Sequence, residues 1–260
     1  MIILFSGNGN TTRVASLLAE ALGERICRVE DAMSRTIRNE HRIIWCFPVY
    51  AWGVPRIVRR CISDMNISGK AAHYLVCSCG DDIGYADRQW RRMLEQKGWC
   101  TAASYSVQMP NTYVNLPGFD VDSAAVEEQK LAAAPERVAS IARQIASGSE
   151  KDDVVRGALP WLKTKVFYPF FMRFLSGTKP FRATDVCIGC GLCARQCPTA
   201  MIRMGDNGRP QWRRGDCAMC MRCYHHCPTH AIQYGRYTIK KGQYYFSEDR
   251  VADQGLPTGD

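Results

Sequence analysis

No stretch of 18 or more uncharged apolar residues occurs in the 260-residue chain, so no membrane-crossing helix is expected. The N-terminus has no charged leader and no small-residue cleavage site, because it starts on the strand-like run Met1-Ile2-Ile3-Leu4-Phe5. Export is therefore not expected, and a cytoplasmic location is. Cysteine is missing from 101–186 and again after Cys227. The fourteen cysteines are thus crowded, eight of them between Cys187 and Cys227. In a long chain with no export signal, that crowding excludes a disulfide framework and favours reduced thiolates that hold metal.

Acidic residues are scarce in one half only. Residues 1–150 hold 17 basic and 16 acidic side chains, whereas residues 151–260 hold 17 and 9, so most of the net charge of +9 belongs to the second part. Metal bound by the crowded thiolates would leave part of that excess uncompensated, and the remainder suits an acidic protein partner. No nucleic-acid-binding motif accompanies the charge, so nucleic acid is not invoked. The apolar fraction of 46% and charged fraction of 23% describe an ordinary globular chain.

Apolar, β-branched runs occur at 1–5, 25–29, 42–47, 72–78 and 100–108. Helical patterns follow at 11–22, 55–67, 85–97 and 122–148, with a short one near 33–38. Strands that alternate with helices give a parallel sheet covered on both faces, here a flavodoxin-like doubly wound α/β domain of five strands over 1–150. Residues 151–182 read as a basic aromatic linker. A small α+β domain is expected over 183–240, with a tail from 241 to 260. Strand-like pieces stand at 232–237 and 243–246, and the polar end is expected to be loosely ordered.

The segment 154–184 has six basic residues, seven aromatics and no acid. Pro169 should break or kink a helix there. The leading reading is a connecting helix packed between two modules. A minority reading makes 156–182 a docking face for a membrane surface or an acidic partner.

An internal repeat is the strongest signal. Cys187-Ile-Gly-Cys190-Gly-Leu-Cys193-Ala-Arg-Gln-Cys197-Pro recurs as Cys217-Ala-Met-Cys220-Met-Arg-Cys223-Tyr-His-His-Cys227-Pro. Three cysteines two residues apart wrap one face of a cubane, and the fourth, before proline, turns to the other cluster. Cys187, Cys190, Cys193 and Cys227 are thereby assigned to one 4Fe-4S cluster. Cys217, Cys220, Cys223 and Cys197 are assigned to a second. Gly189 and Gly191 let backbone amides approach the sulfurs. Zinc, which takes tetrahedral sites on paired knuckles, fits this rhythm poorly. With eight thiolates available, His225, His226 and His230 read as surface or shielding residues. This stretch resembles the bacterial two-cluster ferredoxins, which implies single-electron transfer between the clusters.

Ser6-Gly7-Asn8-Gly9-Asn10-Thr11 follows the first strand and opens the first helix, where amides and the helix terminus favour a phosphate. Gly7-x-Gly9 is also part of a dinucleotide fingerprint, with Glu30 or Asp31 at the end of the second strand. The third glycine position is Thr12, however, and the hydroxyl and amide side chains suit a terminal phosphomonoester better. The stretch 2–18 resembles the flavodoxin phosphate loop, and the whole chain resembles the flavodoxin–ferredoxin fusion proteins of anaerobes. Two further loops, Pro48-Val49-Tyr50-Ala51-Trp52-Gly53 and Cys77 to Tyr85, follow the third and fourth strands.

The resemblance implies FMN as a second cofactor. It also implies that these two loops flank the isoalloxazine, with Tyr50 or Trp52 stacked on it. Backbone of Ser78, Cys79, Gly80, Asp81, Gly84 and Tyr85 would then reach its polar edge. Asn111 and Tyr113 stand where they could border the flavin or a substrate. Cys27, Cys46, Cys61 and Cys100 read as buried small apolar residues. The expected function is electron transfer between the clusters and FMN. The alternative is an FMN-dependent reductase of a small organic substrate fed by the clusters, for which no general acid stands out. No nicotinamide-binding domain is evident.

Overall fold

The structure, a computed structural model, describes residues 1–247. The first part of the chain runs β1 (Ile2–Leu4), α1 (Asn10–Leu22), β2 (Ile26–Arg28), α2 (Val29–Ala32), β3 (Thr36–Arg38), β4 (Arg42–Pro48), α3 (Arg56–Asp64), β5 (Asn66–Ser68), β6 (Ala72–Cys79), α4 (Ala86–Gln96), β7 (Thr101–Gln108) and α5 (Ala124–Ala146). Strands β2-β1-β4-β6-β7 form one sheet in that order, and every neighbouring pair is parallel. In β4, Ile43, Trp45 and Phe47 point to one face while Ile44 and Cys46 point to the other. All five are fully buried, so both faces of the central strand are covered.

The expected short helix at 33–38 is displaced: α2 lies at Val29–Ala32, and Thr36–Arg38 is a strand paired in parallel with Asn66–Ser68. The alternation Thr36-Ile37-Arg38 turns one apolar side chain inward, opposite Ile67, which a three-residue window does not advertise. For the same reason α3 ends at Asp64, ahead of the expected 67.

Between α5 and the cysteine repeat the chain turns helical over 160–175. It passes through α6 (Pro160–Leu162), a π-helical turn at Lys163–Phe167, α7 (Tyr168–Phe170) and a second π turn at Phe171–Leu175. Pro169 does not break this run. Wide turns on either side accommodate its ring and its missing N–H. The repeat itself contributes β8 (Phe181–Ala183), α8 (Leu192–Arg195), β9 (Ile202–Met204), β10 (Pro210–Trp212), α9 (Arg222–His225) and β11 (Ile232–Tyr234). β8 pairs antiparallel with β11, and β9 with β10.

The stretch 243–246 forms no strand. It lies against the first loop, where the Phe246 N–H donates to the Asn8 carbonyl at 2.8 Å and the Tyr244 hydroxyl meets Asn10 Oδ1 at 2.9 Å. The polar end expected to be loosely ordered, 248–260, lies outside the described residues.

Candidate functional site

In a parallel sheet the loops after the strands gather at the carboxyl end, and here they enclose a cavity of about 150 Å³. Ser6, Gly7, Asn8, Asn10 and Thr11 enter from β1; Pro48, Val49, Tyr50, Ala51 and Trp52 from β4; Ser78, Cys79, Gly80 and Asp81 from β6. Asn111 and Tyr113 enter from beyond β7. Four of the residues singled out from sequence face elsewhere. Gly9 lies under the backbone of Phe246, and Gly53 lies under the ring of Tyr168. Gly84 abuts Thr164 and Trp52, and the Tyr85 amide donates to Thr164 Oγ1 at 2.8 Å.

Several wall residues carried no sequence signal for this role. Phe171 comes from the second π turn, Phe119 from the loop before α5, and Met219, Cys220 and Met221 from the cysteine repeat. Only the density of aromatics between 161 and 181 hinted at the first of these.

The first loop spends much of its polar equipment on the protein. Asn10 Nδ2 donates to the Pro110 carbonyl at 2.8 Å, and Thr11 Oγ1 shares a hydrogen bond with Ser78 Oγ at 2.7 Å. These contacts hold three loops together, and the first-turn amides of α1 keep no intrahelical acceptor. Asn8 donates to the Cys220 carbonyl at 3.1 Å, and its own Oδ1 is buried without a partner on the cavity wall. A buried acceptor of that kind suits a ligand hydroxyl or N–H.

The turn at 50–53 is locally strained. Ala51 (φ 47°) and Trp52 (φ 62°) both occupy the left-handed region, between reciprocal hydrogen bonds of Tyr50 with Gly53 at 3.1 and 3.0 Å. Two non-glycine residues in that region cost on the order of 1 kcal/mol each. The helical run 160–175 keeps them there. Thr164 Oγ1 donates to the Trp52 carbonyl at 2.8 Å, Lys163 Nζ lies 5.2 Å from the Trp52 ring, and the Tyr168 hydroxyl donates to the Val54 carbonyl at 2.6 Å. The run is thus packed on the site loops as well as joining the two parts of the chain.

The eight repeat cysteines surround two small voids. One is lined by Cys187, Cys190, Cys193 and Cys227, the other by Cys197, Cys217, Cys220 and Cys223. Among the described residues no three Cys, His, Asp or Glu side chains converge as a single ion would require. The thiols stand around a space, which fits a cubane. Backbone amides already point at sulfur: Met201 to Cys197 at 3.3 Å, Ala231 to Cys227 at 3.2 Å and Met219 to Cys217 at 3.4 Å. Without metal, burial pushes the Cys193 thiol up to about 11 and Cys217 to about 12. Loading such a site therefore releases protons.

The two copies share an unusual backbone. Gly189, Gly191 and Ala200 have positive φ, and so do Met219, Met221 and His230, thirty residues later in each case. Of the histidines, His225 is buried. Its Nε2 bonds the Thr112 carbonyl at 2.9 Å and its Nδ1 accepts the Tyr244 amide at 3.2 Å, so it ties the loop after β7 to the tail. Of the scattered cysteines, Cys46, Cys61, Cys77 and Cys79 are buried and Cys27 is half-buried, whereas Cys100 is exposed, against expectation. Cys79 lines the cavity, and burial pushes its thiol up to about 12, which keeps it protonated.

The two parts meet at Cys220. A Cβ on Gly7 would lie 3.0 Å from the Cys220 carbonyl oxygen and 2.8 Å from the Tyr50 hydroxyl. Arg222 fastens the contact, donating from Nε to the Gly7 carbonyl at 2.7 Å and from Nη2 to the Ser6 carbonyl at 2.5 Å.

Residues 186–231 match the 4Fe-4S dicluster domain family. A curated relative, the formate dehydrogenase iron-sulfur subunit of Haemophilus influenzae, is 31% identical over 91 residues. That match takes in 32% of this chain and 27% of the length of the relative. The C-terminal part is thus an iron–sulfur module of the ferredoxin type, joined to a parallel α/β sheet.

Proposed function

We propose that this chain is an electron-transfer flavo-iron–sulfur protein, in which single electrons pass between two 4Fe-4S clusters and FMN held in the cavity at the carboxyl end of the sheet. The observation that carries this reading is the position of Cys220, which lines both the second cysteine void and the cavity. A centre bound by Cys197, Cys217, Cys220 and Cys223 would stand against whatever the cavity holds. The more exposed set, with Cys190 at the surface, would be the port to a redox partner.

The strand order of the sheet is the one found in flavodoxin-like folds, with the ligand at the switch point beside β1. In this reading the amides of the first loop and first helical turn hold the phosphate, and Asn8 Oδ1 accepts from a ribityl hydroxyl. The strained Ala51–Trp52 turn and the loop from Ser78 to Asp81 flank the ring. FMN can exchange two electrons or one and each cluster one, so the pair would connect hydride-type to single-electron chemistry. The basic charge of residues 151–260 suits an acidic partner protein.

A second reading, an FMN-dependent reductase of a small organic substrate, draws support from the aromatic wall. Tyr113 packs edge-on against Phe119 at 5.2 Å and against Phe171 at 6.1 Å, which leaves an apolar lining on the cavity.

Anaerobic purification with iron, sulfide and flavin analysis tests both readings. About eight irons with one FMN per chain is the expected result. Eight irons without flavin would overturn the flavin assignment and leave only the iron–sulfur module.

A further inference from the structure

The helical run Pro160–Leu175 has two faces of different use. Thr164, Tyr168 and Phe171 are buried against the site loops and the cavity. The outward side carries Trp161 (59% exposed), Phe167 (51%), Phe170 (51%) and Phe174 (65%), with Leu159 (69%) just ahead of it. Phe170 and Phe174 lie side by side, with ring centroids 5.1 Å apart, and form a ridge with exposed Phe167 three positions ahead. A helix packed on a globular domain ordinarily turns polar groups to water, and here the pattern is inverted.

Cations accompany the ridge along the sequence. Six basic residues and no acidic one occur between 154 and 184. Arg156 and Lys163 are paired with Asp87 and Asp82. Lys165, Arg173, Lys179 and Arg182 have no carboxylate partner among the described residues.

We propose that this ridge is a docking face for an anionic lipid surface, on which the helical run lies flat. Sixteen helical residues extend at most about 24 Å, less than the roughly 30 Å of a hydrocarbon core, so the run suits the interface and not a span. No described helix is long and apolar enough to cross a membrane. Protruding Trp, Phe and Leu beside uncompensated Lys and Arg is the composition that inserts at a headgroup boundary. The unpaired cations match phosphodiester headgroups. A second copy of the chain is disfavoured as the occupant, since a two-fold contact would set the same cations against each other. Such docking would bring the cavity that Phe171 walls close to a membrane surface.

Vesicle flotation with the full-length, cluster-loaded protein tests this. Vesicles of phosphatidylcholine alone are compared with vesicles containing roughly a third phosphatidylglycerol. The protein is expected to float with the anionic vesicles at low salt and to be released as salt rises. Phe170→Ser with Phe174→Ser should weaken binding by about tenfold or more, with an unchanged visible spectrum. Lys165→Glu with Arg173→Glu should abolish the preference for anionic lipid. The proposal is overturned if wild type fails to float, or if the Phe variant floats as well as wild type. Light scattering that shows a dimer lost in the Phe variant, without vesicle binding, would assign the ridge to a second copy instead. Retention of an acidic protein on the ridge without vesicle binding would assign it to that partner.

Discussion

Arg222 donates a hydrogen bond from Nε to the carbonyl oxygen of Gly7 at 2.7 Å, across 215 residues of sequence. Its Nη2 reaches Ser6, and its Nη1 reaches the Gln196 carbonyl at 3.2 Å. One side chain two residues from Cys220 therefore fixes the position of the second cysteine loop over the first loop of the sheet. Replacement by Met keeps the packing of the stem and removes all three bonds. Arg222→Met is expected to lower stability by about 2 to 3 kcal/mol, since bonds from a charged donor are lost and carbonyls are left unpaired. Anaerobic denaturant titration at unchanged iron content measures this.

Gly7 is a separate steric probe of the same junction, because its backbone imposes no positive φ. Gly7→Ala would place a methyl within 3.0 Å of Cys220 and Tyr50. The cysteine loop must retreat, at a cost of about 1 to 3 kcal/mol. Iron content is expected to stay unchanged while, if FMN fills the cavity as proposed, electron exchange between it and the clusters slows in rapid-mixing experiments. An unchanged rate would show that electrons do not cross here.

The two voids make a testable claim about crossed ligation. Cys190→Ala and Cys227→Ala fall in the same set although 37 positions separate them, and Cys197→Ala belongs to the other. The first two variants are expected to lose about four irons each and to leave the same residual paramagnetic signal on reduction. Cys197→Ala should leave the complementary signal. Identical residual signals from Cys197→Ala and Cys190→Ala would refute the crossing.

His73 should make the sheet acid-sensitive. Its Nδ1 accepts from Trp45 Nε1 at 3.0 Å, and burial depresses its pKa from 6.5 to about 4. A depressed imidazole contributes stability that is complete above 6.5 and is lost as pH falls toward about 4. The loss amounts to about 3 kcal/mol over that window. Denaturation midpoints measured between these pH values should fall in wild type and change far less in His73→Gln.

The ferredoxin-type module was legible because its chemistry is written at fixed short spacings. The spacing C-x₂-C-x₂-C-x₃-C-P can be read whatever surrounds it. The sheet was legible as well, since β4 and β6 are long, apolar and buried on both faces. The strand Thr36–Arg38 was not, because its single apolar residue between two polar ones is indistinguishable from a turn. Nor was the backbone of the second cysteine loop. Gly189 and Gly191 announce left-handed conformations, whereas Met219 and Met221 hold the same ones with side chains that conceal them. Pro169 does not end the run but leaves it irregular, since a helix can widen to π turns where tertiary contacts hold both sides of the proline.

By itself, then, the sequence carried the cysteine repeat, the parallel α/β sheet and the loops at its carboxyl end, because each is a local pattern repeated at a set period. Tertiary structure alone decided that Cys220 meets Gly7, that Phe171 closes the cavity and that the aromatic ridge of 159–174 faces outward. Contacts between segments over two hundred residues apart depend on how two cores pack against each other. No spacing along the chain encodes that distance.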